Sequence, residues 1–293
     1  MSLNRVTFEP SSSEASRDSK VERLHALLER LRGGVVVAFS GGADSALLAV
    51  EAGRILGPRA LAVTADSPTL PRTELAFAKA FALKHGILHD ILQTREMDNA
   101  SFVANGVYRC YHCKGELFNR MKGLALERGF SHLLFGAIGD DQGDWRPGMD
   151  AARELGVLAP LMECGFTKAD VRERSRQLGL ETWDKPASAC LSSRFPTGRP
   201  ISLQDLAKVE KAEDLLKSKG FKQCRVRLMD EAARIEVDLA DLPRLLDEEI
   251  RGELLAGFKE LGFRFVTADL EGFRSGSLSP RSREDLHGIR RNP

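Results

Sequence analysis

Two thiols three residues apart, in Cys110-Tyr111-His112-Cys113, and a third at Cys190 in a serine- and proline-rich stretch, are the reactive side chains whose spacing first suggests chemistry. A lone Cys-x-x-Cys is half a zinc site, a redox pair or a coincidence, with similar weight for each. No second Cys-x-x-Cys completes a four-thiolate zinc site, and this one does not open a thioredoxin-like βαβ start. Cys190 shifts the balance, because sheet topology can bring its loop to the same edge. Three thiolates with an open fourth position fit an iron-sulfur cluster that keeps one iron for an exogenous ligand such as sulfide. The plainer reading makes Cys190 a small buried loop residue, and Cys164 and Cys224 are read that way.

A second chemistry is written in Val35-Val36-Val37-Ala38-Phe39-Ser40-Gly41-Gly42-Ala43-Asp44-Ser45. An apolar β-branched run suits a strand buried on both faces, and the glycines turn it sharply into a helix beginning near Ala46. Such a turn aims free N–H groups and the positive end of a helix dipole at one point, which suits a phosphate or pyrophosphate, and Ser40 and Ser45 add hydroxyl donors. It is neither a Walker-A loop nor a dinucleotide fingerprint. The loop Gly139-Asp140-Asp141-Gln142-Gly143-Asp144 carries three carboxylates able to hold Mg2+ or ribose hydroxyls, although acidic turns without a ligand are at least as common. In Cys224-Arg225-Val226-Arg227-Leu228 the arginines share one strand face, about 7 Å apart. They suit a phosphate or carboxylate, with Glu236 on the next strand to orient one of them. The alternative is a solvated sheet face with a salt bridge or two.

The elements that must position these groups are legible. Val21, Leu24, Leu27, Leu28 and Leu31 have helical spacing after a polar tail expected to be disordered to about Asp18. Strands are expected at 35–39, Ala60–Asp66, His89–Thr94 and His132–Ile138. Helices are expected from Pro71 to Gly86, from about Gly115 to Arg128, and at Lys168–Leu178 with Thr167 as cap. This alternation predicts an α/β fold, a doubly wound parallel sheet whose ligands bind at the carboxyl ends of its strands, by the loops 40–45, 66–70 and 139–144. Pro186, Pro196, Gly198 and Pro200 mark a boundary. Beyond it a helix ending at Gly220, strands Cys224–Leu228 and Arg234–Val237, a helix Leu254–Leu261 and a strand Phe263–Val266 predict a smaller α+β domain of order αββαβ. The expected division is a tail at 1–18, a nucleotide domain at 19–198, a small substrate or oligomerisation domain at 199–279 and a flexible tail at 280–293.

At 293 residues the chain is long enough for one large or two modest domains with proper cores, and its net charge of +1 offers nucleic acid no global attraction. No apolar run approaches the roughly 20 residues of a membrane span, and the opening residues lack a signal-peptide core. A cytoplasmic location is expected, where the five cysteines stay reduced.

Taken together, VAFSGGADS, RCYHCK, GDDQGDWRPG, KPASACLSSRFPTG, CRVRL with ARIEV, and LGFRFVTADLEGFRSGS resemble the LarE-type ATP-dependent sulfur transferases of the PP-loop ATP pyrophosphatase superfamily, and they span nearly the whole chain after the tail. The resemblance implies a PP-loop, Rossmann-like fold. It implies that ATP adenylates a carboxylate of a pyridinium dicarboxylic acid mononucleotide, with loss of pyrophosphate, and that the activated acyl group becomes a thiocarboxylate in nickel-pincer nucleotide synthesis for lactate racemase. Ser40, Gly41, Gly42, Asp44 and Ser45 would bind the ATP phosphates, with Asp141, Asp144 and Arg146 in the nucleotide pocket and Mg2+ as companion ion. Arg194, Arg225, Arg227 and Arg274, with Glu213 and Glu236, would receive the substrate. Family members either sacrifice one cysteine near the position of Cys190 or hold a [4Fe-4S] cluster on three. With Cys110, Cys113 and Cys190 this chain looks like the second kind, supplied by sulfide or another sulfur donor. A homo-oligomer is also implied.

A tRNA thiolation enzyme of the same superfamily combines similar motifs, but should carry a basic surface or an added RNA-binding domain. A nitrogen-transferring synthetase needs no thiolate. A non-catalytic ATP sensor on the same sheet would bind nucleotide without releasing pyrophosphate.

Overall fold

The computed structural model describes residues 12–141, 147–186, 188–274 and 278, with the side chains of 12–17 and 141 outside the description. Val35, Val36, Val37 and Ala38 form β1 (Val35–Ala38), buried along its whole length. β2 (Ala60–Asp66) and β4 (His132–Phe135) pair with it in parallel on either side, and β3 (His89–Gln93) adds outside β2, giving the order β3-β2-β1-β4. Val35 and Val37 enter one core, Val36 and Ala38 another, as a period of two requires when both faces are covered.

The first core is closed by α1 (Ser12–Arg30), α2 (Ala43–Leu56), α3 (Arg72–Lys84), α7 (Pro160–Glu163) and α8 (Lys168–Gln177). The second is closed by α5 (Arg109–Arg128) and α6 (Pro147–Glu154), with the short α4 (Ala100–Val103) leading into α5. The chain therefore winds from β1 through β2 to β3 on one side and returns to β4 on the other. That reversal opens a crevice at the carboxyl end of β1, where an α/β sheet takes its ligand.

The smaller unit comprises α9 (Leu203–Ser218), β5 (Cys224–Met229), β6 (Ala232–Val237), α10 (Leu242–Leu245), α11 (Glu248–Glu260) and β7 (Phe265–Ala268). β6 runs antiparallel to β5 and parallel to β7. Its core joins Val209, Leu216, Val226, Leu228 and Phe258 to Phe102, Leu191 and Phe195 from the earlier part of the chain.

Several expectations move. α1 reaches back to Ser12, into the stretch read as disordered, where Glu14 and Ala15 are compatible with helix. α5 begins at Arg109 rather than near Gly115, so both thiols of the Cys-x-x-Cys lie on a helix. α11 begins at Glu248 because Asp247 accepts the N–H groups of Glu249 and Ile250. β7 starts at Phe265, since Phe263 leaves the ladder to pack its ring 5.5 Å from that of Phe258. The cap at α8 stands as expected. The Thr167 hydroxyl accepts the Asp170 N–H, and the Asp170 carboxylate accepts the Thr167 N–H at 2.9 Å. Thr167→Ala is expected to cost about 1 kcal/mol in urea unfolding, since it removes one half of this reciprocal pair.

Candidate active site

Gly41 holds φ +74° at the end of β1, and a side chain there would press on the Phe77 ring at 3.3 Å. Gly42 caps α2 without offering a side chain to the first-turn N–H groups, which stay directed at the crevice. Ser45 braces the turn. Its hydroxyl donates to the Gly42 carbonyl at 3.1 Å and accepts the Ser40 N–H at 3.2 Å, while the two serine hydroxyls lie 3.1 Å apart. Asp44 is paired with Lys168, whose ammonium lies 2.9 Å from both carboxylate oxygens. The Lys168 N–H, at the start of α8, is accepted by Asp140 at 2.8 Å. The acidic loop is thereby tied to the turn. Asp141 is described only in its backbone, and Asp144 and Arg146 lie outside the described residues.

β4 ends at Phe135 because the next residue is where α2 comes closest. A Cβ on Gly136 would stand 2.7 Å from the Ser45 nitrogen. Gly136→Ala must therefore displace the backbone of the anion-binding turn. Overpacking of this kind costs about 1–3 kcal/mol, and calorimetry with ATP is expected to show an affinity loss well beyond that of Gly123→Ala, a helical glycine with open space around it.

The three thiols come from two segments, and Cys190 and Cys110 both act electrostatically on Cys113. Cys110 is exposed and Cys113 half-buried on α5, and half-buried Cys190 opens the turn 191–194. Burial pushes the Cys113 thiol up to about 12, and the charges of Cys190, Glu96 and Cys110 add to the rise against the opposing Lys114. The Cys190 loop is fastened on both sides. The Leu191 N–H donates to the Thr69 carbonyl at 2.8 Å, and the Thr69 hydroxyl to Glu96 at 2.9 Å. Arg109 donates to the Ser192 carbonyl at 2.9 Å and to Asn105. Among the described residues, no three His, Cys, Asp or Glu side chains are spaced as they stand to hold a metal ion. Cys164 and Cys224 are buried, and burial drives the Cys224 thiol to about 12 as well.

The arginine strand does not face solvent. Arg225, Arg227 and Glu236 are all buried. Glu236 stands opposite Arg225 in register but binds its diagonal neighbour, accepting Arg227 Nε at 2.9 Å and Arg234 at 3.0 Å. Arg227 also donates to the Ser193 carbonyl at 2.7 Å. Arg225 donates to the Cys224 carbonyl and lies 5.1 Å from the centroid of the Phe273 ring. Burial and the positive charge of Arg194 pull its pKa below the usual arginine range, with Glu213 opposing. Arg274 is paired with Asp269 at 3.2 Å.

Arg194 is 1% exposed. It grips Glu213 by two bonds of 2.8 and 2.9 Å and donates to the carbonyls of Ala189 and Cys190 at 2.8 and 3.0 Å. In this arrangement it shapes the cysteine loop, and its neighbours Arg225 and Arg227 form the rest of the cationic cluster. Sequence reasoning missed Lys185, Arg109, Arg234 and Lys168. Lys185 had one available signal, since it opens the same Lys-Pro segment that carries Cys190.

Among similar proteins, an uncharacterised protein of Synechocystis is 44% identical over 262 residues, covering 89% of this chain and 97% of that one. The pyridinium-3,5-bisthiocarboxylic acid mononucleotide synthase of Lactiplantibacillus plantarum is 36% identical over 275 residues, covering 90% of this chain and 95% of the synthase. A subunit of the glutamine-hydrolysing GMP synthase of Thermoplasma volcanium is 26% identical over 204 residues, 64% of this chain and 62% of that subunit. No family model matches the chain. No described helix is long and apolar enough to cross a membrane.

Proposed function

Since the chain belongs to the LarE-type ATP-dependent sulfur transferases of the PP-loop superfamily, we propose that it adenylates a carboxylate of a pyridinium dicarboxylic acid mononucleotide and converts it to a thiocarboxylate. The observation that carries this reading is that Lys185 touches the uncapped anion-binding turn while, beyond residue 187, the stretch 188–194 brings Cys190 within electrostatic reach of Cys113 and is gripped by the buried arginine cluster. A carboxylate is a poor electrophile and AMP a good leaving group, which is why ATP is needed. A carboxylate oxygen attacks the α-phosphorus, the bond to the β-phosphate breaks, and pyrophosphate leaves into the N–H groups at the start of α2. A sulfur nucleophile then adds to the acyl carbon, and the acyl–oxygen bond to AMP breaks.

In this reading Ser40, Gly41, Gly42, Asp44 and Ser45 hold the phosphates, and Mg2+ accompanies them beside Asp141 and Asp144, with Arg146 on the nucleotide. Arg225, Arg227 and Arg274 receive the substrate phosphate, ordered by Glu213 and Glu236, while Arg194 sets the loop that presents Cys190.

Cys110, Cys113 and Cys190 would hold a [4Fe-4S] cluster, whose open iron supplies a place for sulfide. The donor chemistry fits. Burial, with a smaller contribution from Cys190 and Cys110, disfavours the Cys113 thiolate, a condition that metal binding reverses, because a coordinated thiol is deprotonated outright. The cytoplasm is the compartment that keeps such thiols reduced. The exposed Phe265 and Leu270, at and just beyond edge strand β7, support a homo-oligomer.

The test is mass spectrometry of an anaerobic reaction with ATP and the pyridinium mononucleotide, with iron and sulfide analysis of the same protein. The expected product has one carboxylate oxygen replaced by sulfur. A colourless, iron-free protein that transfers sulfur once and converts Cys190 to dehydroalanine would sink the cluster reading while sparing the adenylation. Failure of ATP to yield pyrophosphate with the substrate would sink both.

A further inference from the structure

Arg109 bonds to both of the segments that carry the three thiols. It is the first residue of α5, half-buried, and one nitrogen of its guanidinium, Nη1, donates to the Ser192 carbonyl at 2.9 Å, two residues beyond Cys190. The same nitrogen donates to Asn105 Oδ1 at 2.6 Å, and Nη2 lies 3.9 Å from the Cys110 sulfur. Asn105 gives this fork a fixed base. It is 1% exposed at φ +52°, a left-handed conformation that few side chains other than asparagine and aspartate accept. Its Nδ2 donates to the Pro196 carbonyl at 2.8 Å, its own carbonyl accepts the Gly198 N–H at 2.9 Å, and its N–H donates to the Phe102 carbonyl at 2.9 Å. Each polar group of Asn105 is thus engaged, and two of its partners lie on the chain that leaves the Cys190 loop.

We infer that Arg109 is a positioning residue for sulfur transfer, holding the start of α5 and the Cys190 loop at one separation so that Cys110, Cys113 and Cys190 can act on a single group. The inference rests on the three-thiol reading above and adds a residue which that reading does not name. Residues three apart on a helix are neighbours on one face, so fixing Arg109 in the first turn fixes the direction from which both α5 thiols approach. Cys113 packs against the core that Leu191 and Phe195 enter from the other segment. That contact is apolar and non-directional, and sets no register by itself. Directional bonds must set it, and a planar fork with fixed donor angles suits the task better than a lysine ammonium. The brace fixes where the cysteine backbones stand and leaves the χ1 rotation of each to bring its sulfur onto a shared metal. A soft cation gains most from thiols already placed, because the cost of ordering two separate segments is otherwise subtracted from its binding energy.

The experiment uses the full-length, reduced, metal-free protein under anaerobic conditions, with Co2+ alone as the probe. Co2+ accepts thiolate ligands and reports them by charge-transfer absorption. In the unmodified protein this absorption is expected to develop on titration, to be lowered in each of Cys110→Ser, Cys113→Ser and Cys190→Ser, and to be unchanged in Cys164→Ser. Arg109→Met is expected to bind Co2+ about tenfold more weakly, the scale of one charged hydrogen bond. Arg109→Lys is expected to lose nearly as much, since an ammonium does not span the same three acceptors. ATP affinity, by calorimetry, is expected to stay within about twofold in both variants, because the bonds of Arg109 go to Asn105, Ser192 and Cys110 and not to the turn at the end of β1. Undiminished Co2+ affinity in Arg109→Met overturns the positioning role, and so does full recovery in Arg109→Lys, which would make charge rather than geometry the contribution. A matching loss of ATP affinity overturns it as well, by marking Arg109 as a support of the whole fold. Co2+ binding no tighter in the unmodified protein than in Cys113→Ser and Cys190→Ser overturns the three-thiol reading itself.

Discussion

Replacing Cys190 by alanine is expected to abolish sulfur transfer, by at least about a thousandfold, while ATP–pyrophosphate exchange driven by the pyridinium substrate stays within about threefold of the original rate. In the proposed function the two half-reactions use different parts of the site, and exchange would need the turn at the end of β1 and the arginine cluster, neither of which includes the Cys190 sulfur. The backbone of the loop is also independent of that sulfur, because Arg194 grips carbonyl oxygens. Cys113→Ala separates the two ways of supplying sulfur. It should lower bound iron and sulfide and stop multiple turnover if the three thiols act together. A single turnover that persists in Cys113→Ala and is lost in Cys190→Ala would instead mark Cys190 as a lone, sacrificed donor.

The second large effect concerns the buried ion pair. Glu213→Ala leaves the Arg194 guanidinium, 1% exposed, beside Arg225 with its fork of acceptors removed, and also strips the Val226 N–H of its partner. Breaking one side of a buried pair costs about 3–5 kcal/mol, a fall of roughly 5–8 °C in midpoint for a chain of this size. Scanning calorimetry should record it, and the loss should exceed that of Glu173→Ala, whose bond to Arg176 is on the surface. The same pair sets an acid limit. Burial tends to raise the Glu213 carboxyl, but the hydrogen bond and charge of Arg194 outweigh it and hold it below its usual value near 4.5. A group depressed in the folded state contributes its stability above the unfolded pKa and loses it as pH falls through the folded one. The wild type should therefore show a decline in midpoint below about pH 4.5 that is flattened in Glu213→Ala.

How much of this was legible depended on whether an element is decided locally. β2 is readable because Ala60 to Asp66 is bounded by Gly57-Pro58 and by a Ser-Pro turn, and its apolar run needs no partner to identify it. The turn at Ser40–Ser45 is equally local, since a positive φ at Gly41 and an uncapped helix start follow from the residues themselves. The start of α5 is not, because cysteine, tyrosine and histidine are indifferent helix formers and the segment is held by Arg109 reaching Ser192, eighty-three residues away. The burial of Arg225 and Arg227 was equally hidden. Alternation placed both on one face, but the loop 191–194 that covers that face comes from another part of the chain, through the bond from Arg227 to Ser193. Lys185 was overlooked for the same reason, since its partners Gly41 and Glu74 are far off in sequence.

The pair Arg194–Glu213 also spans the Pro196–Pro200 stretch where the composition of the chain changes. With it cross the bonds from Ile201 to Val103 and from Arg227 to Ser193, and the packing of Phe102, Leu191 and Phe195 against the smaller sheet. A protease nick at Arg199 would break one covalent link and leave all of these interactions in place. The two fragments would carry complementary halves of a single buried charge pair, so each is the specific binding partner of the other, and the chain there behaves as a tether between surfaces that already recognise one another.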